Sequence, residues 1–594
     1  MVKRVMKASF DYDFSDSLSY DHVDTILNQF YYYHDNGFKN KTSLGNAGSA
    51  FGTLLFPSIK FGFSVDEGKF FDHNFNKDVG NDVYNTNVPF ARVSYISGTK
   101  KYQDFDVFFT ENIGRQINFS IAYNTFGSDG FYINQSTVGR RFDFQNNFKS
   151  KNNKYGFFIR FKVNSGTANE NGGVKSDSLY NELIKLSPFD VENNKLKVQV
   201  WQENALNHYD DRKLSVSQFF KFGKSDTTGM KSGELFVVMN NNGFTSDYWY
   251  EDELIDSVYY SKFGLQVKDS SKVVDQYHTV GLRNKLFIKY NFKDNGIVIR
   301  GGGDVNLFQN TTLNAVNDIY EVSLFGSMDN LRLGDYIVSG YVEKAISGFN
   351  SDGYLVKGAL FGELIENVLV GNFKIELMKT LPSYKKLHYS NSVIGWDNDF
   401  DYMLFENFEL DFRIDRLGLE FNSSLGFVEN YVYYGLNVAP EQFEESFYNY
   451  RFDLSKDFSL GFYHFDVGLI YQNVESMAPV NMSNWIGKLS IYYQKMLFKK
   501  ALELRYGIDY WQNSLYNANS YAPFTRTFVL QEGTNVGNFP YLNFYVSARV
   551  KGAQGFVNFQ NIGQFIFREN YMMVPDYPLQ DYGMSFGIRW DFYN

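Results

Sequence analysis

The 594-residue sequence contains no cysteine. That excludes disulfides, thiolate metal sites and thiol nucleophiles, and it fits an envelope protein that must avoid stray disulfides during export. No apolar run approaches the ~18 residues a membrane-crossing helix needs; "ELFVVM" (Glu234 to Met239) and "GTLLFP" (Gly52 to Pro57) are soon interrupted. The start, "MVKRVMKASFDYDF", carries basic residues without an apolar h-region and does not read as a signal peptide. An exported chain would then need a leader already removed or lying upstream. No basic block suggests a nucleic-acid surface, the net charge of −10 being spread along the chain. Seven histidines (His22, His34, His73, His208, His278, His388 and His464) form neither HxH nor HExxH, so local metal spacing is missing. Proline is scarce, at 10 residues.

What is abundant is ring and alternation. Aromatics make up 19% of the chain, with 61 Phe and 45 Tyr, and glycine is common at 49, yet the mean hydropathy is −0.35. Strands with one greasy and one wet face, repeated over hundreds of residues, give that balance. The chain ends "YGMSFGIRWDFYN": Met584, Phe586, Ile588, Trp590 and Phe592 fall on one side of a strand, Ser585, Gly587, Arg589 and Asp591 on the other. The same reading fits "QINFSIAY" from Gln116, "FELDFRID" from Phe408, "LELRYGIDY" from Leu502 and "LNFYVSARVK" from Leu542.

Tight connections such as "KGAQG" (Lys551 to Gly555) and "IDRLG" (Ile414 to Gly418) separate some runs. Long polar ones such as Val163 to Asn194 separate others. The pattern predicts roughly 20 to 24 strands, best 22, of about 10–15 residues, with short and long connections alternating. A soluble sandwich would also accept two-faced strands, but its strands run about 5–6 residues. Longer strands, alternating connections and no visible domain break across 85–594 favour an all-β, large antiparallel transmembrane barrel. Such a barrel closes its backbone hydrogen bonds in lipid and collects aromatics at the interfaces. Trp590, Phe592 and Tyr593 suit that girdle in a closing terminal strand.

Residues 1–84 read differently. In "DHVDTILNQFYYYHD" Val23, Ile26, Leu27, Phe30 and Tyr31 have helical spacing, with Asp21 or Asp24 as N-cap. The glycines of "LGNAGSAFG" (Leu44 to Gly52) predict tight turns, and without GKS or GKT they do not form a phosphate loop. This segment is a plug candidate or a periplasmic piece.

The inward faces carry Glu409, Asp411, Arg413, Glu503, Arg505, Asp509, Arg549, Lys551, Arg589 and Asp591. Of these, Arg413, Arg505, Asp509, Arg549, Lys551 and Arg589 are the candidate pore-lining residues. Either they line a water-filled lumen and set its field, or the lumen is filled and they form structural ion pairs. A barrel of about 22 strands usually carries a plug, and the mixed signs argue against strong ion selectivity. "DYDFSDS" (Asp11 to Ser17) lacks the glycine and distal glutamate of an EF-hand loop and reads as a solvated acidic segment. "RGGGD" (Arg300 to Asp304) reads as a bend or close backbone approach within a strand. Asp-Ser/Thr followed by an apolar residue occurs at Asp16, Asp24, Asp177 and Asp256, resembling a bacterial O-glycosylation sequon.

Several stretches resemble the "putative porin" family of Bacteroidota outer membranes. They are "SLGNAGSA" (Ser43 to Ala50), Pro89, "YISGTKKYQ" from Tyr95, "FFTENIGRQINFSIAY" from Phe108, "GFYINQ" (Gly130 to Gln135) and "ENGG" (Glu170 to Gly173). The resemblance is good over about Asp24 to Val174 and implies an outer-membrane barrel of a Gram-negative cell; it supplies no catalytic residues. The resulting expectation is a porin-like channel for passive diffusion of small hydrophilic solutes. It would have no enzymatic activity and no cofactor, with lipid and envelope proteins rather than nucleic acid as partners. The alternative is a non-conducting barrel serving as scaffold or accessory to a secretion or uptake complex.

Overall fold

A computed structural model of the chain describes residues 5–9, 21–22, 27, 40–64, 71, 82–175, 195–222, 233–267, 272–292, 295–366, 368–567 and 572–593. Among these, 22 strands form one closed antiparallel barrel. Each barrel strand pairs with the next in sequence, and the last, Gly583–Tyr593, closes on the first, Phe90–Gly98, with Phe592 opposite Ala91 and Ser585 opposite Gly98. Among the described residues no helix is long and apolar enough to cross a membrane.

The alternation in the sequence becomes two surfaces. In the closing strand Met584, Phe586, Ile588, Trp590 and Phe592 are 41–58% exposed, while Ser585, Arg589 and Asp591 are buried. Outside, each apolar side chain meets lipid; inside, each polar one meets other polar groups.

The barrel strands run from 8 residues (Ala553–Gln560) to 19 (Val273–Asn291). One strand overruns its expected end: Tyr155–Glu170 continues through "VNSGTANE", expected to be loop. Its outward residues Val163, Ser165, Thr167 and Asn169 are mostly polar, so this stretch projects past the apolar band while its backbone stays paired. Of the expected N-terminal helix, only Asp21, His22 and Leu27 are described; Asp21–His22 pairs as a strand with Val5–Ser9. The acidic segment Asp11 to Ser17 and the sequon-like triplets at Asp16, Asp24 and Asp177 lie outside the described residues.

The two ends differ. One has tight connections, such as 334–335, 461–462 and 551–552, and holds both Phe90 and Tyr593. The other has long ones, including 171–204, 381–402, 514–540 and 561–582. The long connections carry their own hairpins, among them Ser520–Ala522 with Thr527–Val529 and Met572–Val574 with Tyr577–Pro578. These fold inward: Tyr389, Tyr521, Val574 and Tyr577 pack in one apolar cluster with the inward-facing wall residues Phe126, Tyr209, Tyr248 and Tyr277.

Candidate functional site

The lumen is the site, and residues 40–64 lie inside it. The hairpin Lys41–Ser43 with Phe51–Thr53 encloses a turn that docks on one wall. Asn46 donates to the Gln135 carbonyl (2.6 Å) and accepts from Ser128 (2.7 Å), while Gln135 donates to the Leu44 carbonyl (3.0 Å). Thr137 donates to the Ala47 carbonyl (2.5 Å). Gly45 has φ +85°, and a Cβ there would sit 2.1 Å from the Pro578 carbonyl oxygen, so only glycine fits.

The segment then reaches other walls. Gln472 donates to the Leu54 carbonyl (2.6 Å). Further on, Gly62 donates to Thr380 (3.2 Å), Phe63 N–H to Glu321 (3.1 Å), Arg283 to the Phe63 carbonyl (3.2 Å) and Tyr384 N–H to the Ser64 carbonyl (3.1 Å). The Phe63 ring stacks on Phe308 with centroids 3.9 Å apart. Both the amide and the carbonyl of Phe63 are thus held by wall side chains, a latch rather than a loose contact.

A second closure comes from the loop hairpin at 520–529. Its turn, Pro523 to Arg526, meets the opposite wall and the long connection 381–402. Asn207 donates to the Pro523 carbonyl (3.3 Å), Asn391 to the Phe524 carbonyl (3.2 Å) and Lys385 to the Thr525 carbonyl. Arg526 pairs with Asp275. Phe524 lies 5.3 Å from the rings of both Tyr260 and Phe263. Tyr521 donates to Glu170 (3.2 Å); burial, and after it the Glu170 carboxylate, push its phenol well above the ordinary value.

Three of the stretches that carried the family resemblance, from Ser43, Gly130 and Glu170, meet at the long-connection end. Leu44 and Asn46 bind Gln135 of "GFYINQ"; Asn134 of the same stretch donates to the carbonyls of Glu170 (2.8 Å) and Ala205 (2.9 Å). In "ENGG", Gly172 and Gly173 have φ of +67° and +87°, and Val174 N–H donates to Asp576 of another long connection (2.8 Å).

Below the Phe63 latch the lumen opens into a cavity of about 920 Å³. It reaches the tight-turn end at Arg300 and Asp329, whose strands begin or end beside those turns. Five cationic side chains line it (Arg283, Lys285, Arg300, Lys357 and Lys374) against six anionic ones (Asp304, Glu321, Asp329, Glu343, Glu376 and Glu409). They form a ladder across neighbouring strands: Lys285 with Asp304 (3.2 Å), Arg300 with Asp329, Lys357 with Glu376 (3.0 Å), Lys374 with Glu409 (3.2 Å) and Asp411 (2.8 Å). The space exists because inward positions here hold small residues, Ser327, Ser339 and Ala359. Of the "RGGGD" glycines, Gly302 packs so closely that a Cβ would lie 2.2 Å from the Leu286 carbonyl oxygen.

The six residues singled out from the sequence lie elsewhere. Arg505 and Arg589 point inward but are only 3% exposed: Arg505 sits on the Tyr492 ring and donates to Tyr545 (2.9 Å), and Arg589 donates to Gln554 (3.1 Å). Arg549 pairs with Glu503, and Asp509 accepts from Ser490 (2.5 Å). Arg413 is exposed at a strand end and pairs with Asp415 in the adjoining turn (2.7 Å). Lys551 is not on a strand face; it is an exposed turn residue with φ +55°. None of the six borders the cavity; of the wider inward set only Glu409 does. The cavity residues have the same sequence signal, inward charges on long strands, and no local pattern separates the two groups. Among the described residues no three His, Asp or Glu converge to hold a metal ion.

Fold and site together define a class: a large outer-membrane-type barrel of 22 strands with an internally filled lumen. Within that class, the family described as "Putative porin" matches residues 10–594, and the chain belongs to it. No curated protein matches the sequence. Among solved structures the barrel is similar to the FrpB iron transporter from Neisseria meningitidis in its apoprotein form (TM-score 0.61, 7% identity, 95% of this chain and 96% of that one). It is also similar to the copper transporter OprC (0.61, 9%, 85% and 80%) and to BauA, the ferric preacinetobactin receptor from Acinetobacter baumannii (0.57, 11%, 86% and 82%). At such identities the likeness is one of fold.

Proposed function

We propose that this protein is a transport barrel of a Gram-negative outer membrane, closed at rest by its own residues 40–64 and long connections. It admits small hydrophilic solutes when the latch at Lys60 to Ser64 is withdrawn. The observation that carries this reading is the position of that latch, bonded to Glu321, Thr380 and Arg283 and covering a cavity of about 920 Å³ that is otherwise continuous with the tight-turn end. Tight turns face the periplasm in such barrels, so the cavity is the periplasmic half of the path and the packed loops are the extracellular gate. Barrels of 22 strands with transporter function carry a filled lumen, and the solved neighbours are named for iron, copper and ferric preacinetobactin. The reading keeps transport and replaces permanent passive diffusion with gated passage. It needs no cofactor and no bond chemistry.

A second reading, a non-conducting scaffold, is favoured by the buried Arg526–Asp275 pair, which ties a loop to the far wall. Planar-bilayer conductance separates the two. The intact chain should be silent or flicker, and a chain that begins after Ser64 and carries Arg526→Met with Asp275→Asn, which frees the loop closure as well, should give stable, salt-dependent steps. Full conductance of the intact chain would remove the latch; silence of the shortened one would leave the scaffold.

A further inference from the structure

The cavity below Phe63 has two properties that specify its ligand. The first is that its wall cations are all committed to partners: Arg300 pairs with Asp329. Lys285, Lys357 and Lys374 each lie within 3.0–3.2 Å of a wall carboxylate. Arg283 is spent on the Phe63 carbonyl and Glu321 on the Phe63 amide. An anionic solute would have to break such a pair in a partly desolvated site and leave a carboxylate uncompensated, and a cationic one would have to displace the hydroxyls or the amide that hold Glu343 and Glu321, both costly exchanges. A neutral solute need not, because ion-paired groups still offer N–H donors and oxygen lone pairs to a hydroxyl.

The second property is the combination of ring faces with closely spaced oxygens. Tyr341 on the wall and Phe61 on the latch segment are half-buried rings at the cavity surface. Beside Tyr341, Glu343 accepts from the Tyr341 hydroxyl and from Ser323 (2.6 Å), which fixes its carboxylate. Ser327 and Ser339 leave room against that wall. A ring face next to oriented oxygens suits a solute whose C–H bonds and hydroxyls lie on different faces. The volume, about 920 Å³, is within the ~300–1,000 Å³ of small-ligand sites.

We propose that this cavity binds a neutral polyhydroxylated solute, a short saccharide, stacked on Tyr341 and hydrogen-bonded by Glu343 and the paired charges. The proposal rests on the transport reading above and adds the class of cargo.

Titration calorimetry on the full-length, detergent-folded protein tests it, with maltotriose, cellotriose and xylotriose as probes and triglycine and glucose 6-phosphate as ionic comparators. At least one trisaccharide should bind at least tenfold more tightly than either comparator. Tyr341→Ala should weaken that binding at least tenfold. Ser339→Trp, which fills the cavity, should abolish it, and each variant should keep the heat-modifiable band of the folded barrel. Binding of no trisaccharide, tighter binding of a comparator, or a Ser339→Trp protein that binds normally would overturn the proposal. Calorimetry does not depend on conduction. A barrel that binds saccharide yet stays silent once residues 1–64 and the Arg526–Asp275 tie are both removed loses the transport reading alone; one that then conducts but binds no saccharide in its full-length form loses this proposal alone.

Discussion

Arg526 Nη2 lies 2.5 Å from Asp275 Oδ2, and the two side chains are 1% and 0% exposed although their positions are 251 apart in sequence. The pair joins a loop hairpin to the strand Val273–Asn291 across the lumen. Removing one partner of such a pair leaves a buried charge without its counter-ion, at about 3–5 kcal/mol. Arg526→Met or Asp275→Asn should therefore release the hairpin, seen as new proteolytic cuts within 514–540 of the folded barrel. The double variant, which leaves no net charge behind, should be cut less than either single one.

The Phe63 latch tests the other closure. Gly62 has φ +75°, and a Cβ there would lie 2.8 Å from Glu321 Oε1, the carboxylate that accepts the Phe63 amide. Gly62→Val meets both a disfavoured backbone and a clash. It should raise the frequency of open events in planar bilayers, whereas Gly114→Val, at a tight turn with open space around its Cβ, should not. Equal conductance of the two variants would count against the latch.

The outer face makes a depth-dependent prediction. Ile588 is 58% exposed in the middle of the closing strand, and arginine at the bilayer midplane costs about 2–4 kcal/mol. Ile588→Arg should lower the yield of heat-modifiable barrel in lipid vesicles. Leu254→Arg should not, because Leu254 is 61% exposed on a long connection beyond the strands. Loss of assembly in both would mean that net charge rather than membrane depth is responsible.

The barrel was legible because lipid acts on one residue at a time. Every outward position from Met584 to Phe592 must be apolar, so the pattern appears within a single strand. The filling of the lumen was not legible, because it is decided by residues far apart. Gln472 finds its acceptor at Leu54, 418 positions away, and Phe63 finds Glu321 across 258. Arg505 and Lys374 have the same sequence signature, a charge on the inward face of a long strand. One is sealed beneath Tyr492 and Tyr545 of the neighbouring strands and the other borders the cavity, and only the side chains that the strand pairing sets beside each charge tell them apart. The turn-rich stretch from Leu44 did announce its bends: Gly48 lies against Phe126 and Thr137 of the wall and Gly45 against Pro578 of a long connection.

A pH test addresses the loop surface at the long-connection end. Asp256 caps the helix Ser257–Ser261, accepting from Val258 N–H (3.0 Å) and pairing with Lys175 (2.8 Å). Burial pushes the carboxyl up, but the Lys175 ammonium and the amides of Val258 and Tyr259 outweigh it and hold it below the ordinary carboxylate range. A depressed folded value means that the stabilisation is complete above the unfolded pKa, about 3.9, and is lost as pH falls through the lower folded value. Trp201 reports on the same cluster, since Lys175 and Lys262 lie 5.0 Å and 4.3 Å from its ring centroid and Tyr259 packs at 6.1 Å. The Trp201 contribution to fluorescence, taken as the difference from a Trp201→Phe protein, should stay flat from pH 7 to about 4 and change only below that. Asp256→Asn should remove the acid step, because its amide cannot titrate; a step that persists in that variant would assign the transition to another carboxylate.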